Sequence, residues 1–136
     1  MSVVIDSSVT LAWFFEDERS DATDALLQQV VAEGAVVPSL WRLEIANGFQ
    51  SALRRKRITV AFRDASLADL AAFPIAVDAE TDRHAWGSTL TLAERHGLTP
   101  YDACYLELAQ RLRLPLASLD RELRAASRAL RVALKP

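Results

Sequence analysis

Short apolar runs alternate along the chain with longer stretches whose apolar residues recur at helical spacing. The runs are typical of buried strands and lie at Val3–Ile5, Ala35–Val37, Ile75–Val77 and Leu116–Ala117, with a weaker run at 131–134. The stretches with helical periodicity span 8–15, 21–33, 39–56, 60–72, 79–96, 100–113 and 120–129. Strands that alternate with helices predict the α/β class, as a three-layer α/β/α sandwich with a mostly parallel four- or five-stranded sheet.

Length and composition narrow the class of protein. The chain has 136 residues, 51% of them hydrophobic and 25% charged, so we expect a single domain spanning 1–136. Its one cysteine, Cys104, excludes an internal disulfide, and no apolar run reaches the roughly 18 residues of a membrane span. Nothing resembles a secretion signal. We therefore expect a cytoplasmic protein that does not enter a membrane.

The charge is unevenly distributed along the sequence. A formal net charge of −2 argues against a generic, strongly basic nucleic-acid binder. However, residues 1–110 carry 9 basic and 16 acidic side chains, whereas residues 111–136 carry 7 basic and 2 acidic ones. The final stretch is therefore positively charged and could contact a polyanion.

Two aspartates follow predicted strands. Asp6 comes directly after the first strand, and Asp120 follows the run Leu116–Ala117 after two residues. In an open parallel sheet, ligands bind beyond the carboxyl ends of the strands. If both strands belong to one parallel sheet, both carboxylates lie at the same edge.

Two further acids have both a functional and a structural interpretation. Glu44 borders the apolar stripe of a predicted helix, a position that is also typical of a partly solvated acid. That stripe comprises Trp41, Ile45, Phe49 and Ala52. Asp102 lies three residues after Thr99 at a predicted helix start, where capping acids are common. A helix that starts at the strand edge would also direct this carboxylate toward a shared site.

Carboxylates gathered at one edge would repel each other and raise each other's pKa, so such a cluster requires a compensating cation. Mg²⁺ takes oxygen ligands and commonly bridges one or two carboxylates to a substrate phosphate. Such a site can activate water and stabilise the leaving oxygen of an in-line displacement. The chemistry implied is phosphodiester hydrolysis.

Four ordered motifs contain these acids: VVIDSS at 3–8, VPSLWRLEIAN at 37–47, LTPYDACYLELA at 98–109 and LASLDREL at 116–123. With them the chain resembles PIN-domain ribonucleases, most closely the VapC-type toxins of toxin–antitoxin pairs. The resemblance implies that the four acids bind one or two Mg²⁺ or Mn²⁺ ions that activate water to cut RNA. The acids concerned are Asp6, Glu44, Asp102 and Asp120.

The same resemblance implies supporting residues and partners. Ser8 and Ser118 would support the acidic site from beside it, and Ser118 stands where the family often has threonine. A small cognate antitoxin would cover the active site, and the toxin would form a homodimer.

Two basic clusters are candidates for binding the RNA backbone. The first closes the Glu44 helix and comprises Arg54, Arg55, Lys56 and Arg57. The second begins with Arg121 and Arg124 on the last predicted helix. Cations at a helix end also favour the helix dipole, and a solvated basic face is common, so each cluster has a structural alternative. Phosphate contacts supply much of the affinity for nucleic acids, which favours the functional interpretation.

The two histidines, His84 and His96, fall on one predicted helix and are too far apart to act as a pair. The mechanism that uses the RNA 2′-hydroxyl therefore lacks its usual acid and base. We expect metal-dependent hydrolysis that leaves 5′-phosphate and 3′-hydroxyl ends.

Three alternatives remain open at this point. One is a stand-alone PIN nuclease in RNA processing. A second is a phosphoryl-accepting receiver domain with Asp6 and Asp78 in its acidic pocket, although Ser7 follows Asp6 where that family has another acid. The third is a non-catalytic binding module with the same fold, which the presence of all four acids argues against.

Overall fold

A parallel sheet lies at the centre of the molecule. The computed structural model describes residues 2–132 and 134–135. Within them, the strands are β1 (Val3–Ile5), β2 (Ala35–Val37), β3 (Ile75–Val77), β4 (Leu116–Ala117) and β5 (Leu134–Lys135). They lie in the order β3-β2-β1-β4-β5, and each neighbouring pair is parallel. The predicted class and strand direction are confirmed.

Helices connect the strands. They are α1 (Ser7–Ala12), a 3₁₀ helix (Glu16–Glu18), α2 (Asp21–Glu33), α3 (Trp41–Arg54), α4 (Val60–Ala72), α5 (Thr81–Ala85), α6 (Ser88–His96), α7 (Pro100–Leu112) and α8 (Arg121–Ala129). In the described ranges, none of these helices has the length and apolar character needed to cross a bilayer.

The burial of β1 shows that both faces of the sheet are covered. Side chains alternate between the two faces of a strand, yet Val3, Val4 and Ile5 are all fully buried. Parallel sheets acquire this burial because the crossover helices pack on both sides. The molecule therefore has the three layers that the alternation of strands and helices predicts.

The prediction of one helix over 79–96 is wrong. The chain leaves the helical region at Gly87, where φ is −109° and ψ is −108°, so α5 ends before α6 begins. Both helices pack against α7, which explains why the apolar periodicity continues through the break. His84 and His96 accordingly lie on different helices.

The final strand begins later than the run at 131–134 predicts. Arg131 adopts a φ of 57°, and the Val132 amide donates to the Ser127 carbonyl, so these residues close α8 instead of extending. The strand starts at Leu134, and Ala133 lies outside the described residues.

The strand order argues against a receiver domain. In the receiver-type order 2-1-3-4-5, the first and third strands are neighbours. Here β2 separates β1 from β3, so Asp6 and Asp78 follow strands that do not touch. Asp78 instead forms an ion pair with Arg111.

Candidate active site

Asp6 lies at the carboxyl end of β1, where the chain turns into α1. Its Oδ1 accepts hydrogen bonds from Ser8 Oγ at 2.6 Å and from the Val9 amide at 3.2 Å. Its Oδ2 accepts a hydrogen bond from Ser118 Oγ. Asp6 therefore caps α1 with Oδ1 and contacts the residue that follows β4 with Oδ2. The side chain is buried, with only 5% of the residue exposed.

The two serines join the ends of β1 and β4. Ser8 Oγ accepts a hydrogen bond from the Leu119 amide, and Ser118 Oγ accepts one from the Asp120 amide, both at 2.9 Å. Each hydroxyl thus receives a backbone hydrogen bond while it donates its own proton to Asp6. The structure therefore places both serines in contact with Asp6.

Asp120 begins α8 as its N-cap residue. Its Oδ2 accepts from the Leu123 amide at 2.8 Å, and the side chain is half-buried. Arg124 donates from Nη1 to the Ser118 carbonyl at 2.9 Å. Arg124 is thus placed to hold the loop that carries Ser118 and Asp120, a role that sequence reasoning does not predict.

Glu44 extends from α3 beside its buried stripe, as the sequence pattern predicts. The four residues of that stripe are all buried, and Glu44 is half-buried. The Tyr105 hydroxyl on α7 donates a hydrogen bond to Glu44 Oε1, and the Ser7 side chain also hydrogen-bonds to Glu44. Glu44 is therefore anchored from α7 and from the start of α1.

Asp102 occupies the first turn of α7. Thr99 caps this helix by accepting from the Asp102 amide at 3.1 Å, and Pro100 occupies the first turn, as predicted. The Asp102 side chain is half-buried and also hydrogen-bonds to the Thr99 side chain. The local capping role and the functional role are therefore compatible.

Electrostatic repulsion links all four acids. Burial raises the pKa of Asp6, and the charge of Asp120 raises it further, although the hydrogen bonds from Ser118 and Ser8 act in the opposite direction. Burial followed by the charges of Asp102 and Asp6 raises the pKa of Glu44. Asp102 also has a raised pKa, from burial and then from the charge of Asp120. The fold thus concentrates negative charge at one edge of the sheet.

This donor set suits a hard divalent cation. Mg²⁺ and Mn²⁺ prefer carboxylate oxygens, and Mg²⁺ retains several waters while binding one or two carboxylates. Within the described part of the chain, no three His, Cys, Asp or Glu side chains are positioned to enclose a single ion. The acids interact electrostatically without forming a closed cage, which is compatible with an open site that binds cation, water and substrate together.

The residues of the first basic cluster differ in their contacts. Arg54, Arg55 and Lys56 are exposed at the end of α3. Arg57 instead donates from Nη2 to Asp17 at 2.8 Å, and its guanidinium lies 4.8 Å from the centre of the Phe15 ring. The charge of Arg57 is thus partly neutralised, which makes it a weaker candidate for binding phosphate than its neighbours.

Sequence reasoning missed Tyr105 and Ser7, the two residues that anchor Glu44. Tyr105 is 1% exposed and lies one helical turn beyond Asp102, so the two residues share a face of α7. That spacing was the available signal. The 61 residues that separate Tyr105 from Glu44 concealed the contact.

The fold and the acidic site define a PIN-domain protein, and a comparison with protein families agrees. The family described as PIN domain matches residues 3–129, so the chain belongs to this family. Ribonuclease VapC3 from Pyrobaculum aerophilum is 29% identical over 123 residues, which cover 90% of this chain and 92% of the relative. The resemblance that the four motifs carry is confirmed.

Solved structures show the same fold. The structure of PAE2754 from Pyrobaculum aerophilum has a TM-score of 0.71 at 25% identity and covers 98% of this chain and 83% of its own. VapBC2 from Rickettsia felis, solved bound to a DNA fragment from its promoter, gives 0.67 at 13% identity, with 99% and 98% covered. FitAcB from Neisseria gonorrhoeae gives 0.64 at 15% identity, with 98% and 96% covered.

Proposed function

We propose that this PIN-domain protein is an endoribonuclease that hydrolyses RNA phosphodiester bonds with a divalent cation. The observation that carries the proposal is the placement of four carboxylates at one edge of the sheet, at the ends of β1 and β4 and on α3 and α7. The name of the relative Ribonuclease VapC3 supports RNA as the substrate. Burial and the neighbouring charges both disfavour ionised carboxylates here, and a bound cation would offset that cost.

The four acids would hold Mg²⁺ or Mn²⁺ as ligands: Asp6, Glu44, Asp102 and Asp120. When bound, the cation supplies positive charge that lowers the pKa of water and stabilises the leaving oxygen of an in-line displacement. Ser8 and Ser118 orient Asp6 and favour its ionised form through their hydrogen bonds. Tyr105 and Ser7 fix the position of Glu44.

The exposed basic residues hold the RNA backbone in this proposal. An anionic site needs nearby cations to retain a polyanion, since phosphate contacts supply much of the affinity for nucleic acids. Of the residues in the two predicted clusters, the best candidates for this role are the exposed Arg54, Arg55, Lys56 and Arg121. Arg57 and Arg124, whose guanidinium groups already make protein contacts, contribute less.

The biological role we propose is the toxin of a toxin–antitoxin pair, which acts in the cytoplasm as a homodimer and is restrained by a cognate antitoxin. Similarity to a VapC ribonuclease over 90% of the chain supports this role. Expression of the wild-type chain alone should then arrest the growth of a bacterial host. RNA cleavage without growth arrest would instead assign the chain to RNA processing.

The decisive experiment is the substitution Asp6→Asn. Asparagine keeps the shape of the side chain and can still cap α1, but it removes the negative charge. We expect cleavage of a single-stranded RNA in Mg²⁺ or Mn²⁺ to fall by about 100-fold or more, because cation stabilisation of the transition state contributes several kcal/mol. Thermal unfolding should show that the variant is folded.

Asp24→Asn is the matched control, because Asp24 is an exposed acid that pairs with Arg19 away from the site. It should retain wild-type cleavage.

The products of the wild-type reaction should carry 5′-phosphate and 3′-hydroxyl ends, which end-labelling resolves. Full activity in Asp6→Asn, or products that end in a 2′,3′-cyclic phosphate, would refute the proposed mechanism.

A further inference from the structure

A cleft opens directly beside the acidic site. Its volume is about 400 Å³, and it lies between α1, α3 and the start of α7. It is lined by Ser7, Leu11, Leu43, Asn47, Gly48 and Tyr101, together with the candidate ligand Glu44. The cleft and the acidic site therefore share a carboxylate.

Two large apolar side chains stand exposed at this cleft. Tyr101 is 63% exposed and Leu43 is 71% exposed, although both lie on helices that bury other residues in the core. Each directly precedes an acid of the site, Asp102 and Glu44 respectively. Single exposed apolar side chains are common on protein surfaces. Exposed apolar side chains that are grouped at one site instead indicate a binding surface.

The remaining lining defines the shape and chemistry of the cleft. Leu11 packs so closely on Gly48 that an added Cβ would lie 2.5 Å from the Leu11 side chain, so glycine keeps α1 close to α3. Asn47 offers amide donors and an acceptor. Tyr101 is held on a rigid element, since Pro100 fixes the first turn of α7. The cleft thus combines a fixed aromatic ring, an aliphatic wall and a hydrogen-bonding amide.

We infer that this cleft binds an unpaired nucleobase of the RNA, stacked on the Tyr101 ring beside the phosphate that is cleaved. The inference rests on the proposed ribonuclease function and adds a subsite that binds one base beside the cleaved phosphate. An aromatic ring, an apolar wall and an amide suit the flat face and polar edge of a base better than they suit a phosphate. A base inside a duplex is already stacked and cannot enter.

The inference is tested by separating the contribution of the bases from that of the backbone. The affinities of a short oligouridylate and of an abasic ribose-phosphate chain of equal length are measured by fluorescence anisotropy, with EDTA present to prevent cleavage. Tyr101→Ala should weaken binding of the oligouridylate by roughly tenfold and leave binding of the abasic chain unchanged. Tyr101→Phe should restore the affinity, because stacking needs the ring and not the hydroxyl.

Trp86→Ala is the matched control. Trp86 is a 94% exposed aromatic residue that follows α5 and does not line the cleft, so both affinities should stay at wild-type values. The inference is overturned if Tyr101→Ala weakens both chains equally, or if it weakens neither. The second result is also expected if the cleft serves a protein partner.

The experiment separates failure of the inference from failure of the proposed function. If the wild-type protein cleaves RNA and Tyr101→Ala behaves like Trp86→Ala, only the stacking role is rejected. If the wild-type protein neither binds the oligouridylate nor cleaves RNA, the ribonuclease function and the stacking role are rejected together.

Discussion

Two opposing effects act on the pKa of Asp6. Hydrogen bonds from two serines and one amide favour the carboxylate, whereas deep burial and the neighbouring Asp120 disfavour it. Burial dominates, so the pKa of Asp6 lies above its usual range. The side chain is therefore held in a fixed orientation while its charge remains unbalanced by the protein.

Tyr105 offers a test of how Glu44 is positioned. Burial and the contact with Glu44 raise the pKa of the Tyr105 hydroxyl, so this group stays protonated and acts as a donor. Tyr105→Phe removes only that donor. We expect the affinity for Mn²⁺ to weaken roughly tenfold and RNA cleavage to fall. The reason is that a hydrogen bond to a charged group contributes about 1.5–3 kcal/mol. Calorimetric titration of Mn²⁺ measures the affinity.

Ser127→Ala is the control for Tyr105→Phe. It removes a buried hydroxyl that donates to the Leu123 carbonyl at 3.0 Å and does not contact an acid of the site. Both variants should lose a similar amount of stability, but only Tyr105→Phe should lose Mn²⁺ affinity. Equal Mn²⁺ affinities in the two variants would show that Tyr105 is purely structural.

At the scale of elements, α7 connects the site to the edge of the sheet. Its first turns carry Asp102 and Tyr105, and its last turns carry Glu107 and Arg111. Arg111 donates to Asp78, which follows β3, at 2.7 Å, and to the buried Glu107 at 2.7 Å. The helix that positions two residues of the site is thereby fixed at its other end by a partly buried ion network.

Arg111→Leu should destabilise the protein by about 3 kcal/mol. The substitution leaves Glu107 and Asp78 without their cation, and removing one partner of a buried pair typically costs 3–5 kcal/mol. Urea unfolding measures the loss. Arg63→Leu is the comparison, because the exposed pair of Arg63 with Asp64 contributes less than about 1 kcal/mol. Similar losses in the two variants would contradict the role of the network.

The sequence predicts most elements because their signals are local. Buried strands appear as short β-branched runs, and helix ends are marked by residues such as Thr99, Gly34 and Gly97. Both glycines close helices with positive φ, 86° and 65°, a region of backbone conformation that favours glycine. The positions of the four candidate acids relative to the strands and helices could be predicted for the same reason, because each lies beside a strand end or a helix feature.

Contacts between distant residues account for what the sequence does not predict. The anchoring of Glu44 by Tyr105 and the pairing of Asp78 with Arg111 span 61 and 33 residues. The break at Gly87 was missed because α5 and α6 pack on the same helix and keep one apolar periodicity. Long-range geometry of this kind depends on packing, which a single sequence does not display.

For the whole molecule, the acidic edge makes stability depend on pH. The pKa values of Asp6, Glu44 and Asp102 are raised in the folded state, so the folded protein binds protons more tightly than the unfolded chain. The stability that each group contributes is fully present below the unfolded pKa of about 4 and is lost as the pH rises through the folded pKa. Metal-free protein therefore loses this stabilisation toward neutral pH.

Asp6→Asn isolates this effect. In EDTA, the free energy of unfolding of the wild type should fall relative to that of Asp6→Asn as the pH rises from about 4 toward 7. Urea unfolding at several pH values gives the difference in unfolding free energy between the two proteins. The slope of this difference against pH is diagnostic, because asparagine can also change the stability by an amount that does not depend on pH. Mg²⁺ should restore wild-type stability at neutral pH. Parallel curves would show that Asp6 has the same pKa in both states.

The central position of β1 makes the candidate site depend on residues that lie 112 positions apart in the sequence. Asp6 belongs to the first strand, but its Ser118 partner and Asp120 arrive only when β4 docks beside it. A growing or truncated chain that ends before residue 116 contains β1, β2 and β3 yet lacks half of this junction. In the proposed function, β4 must therefore dock on β1 before the four candidate acids can share one edge of the sheet, so β1, β2 and β3 alone should not cleave RNA.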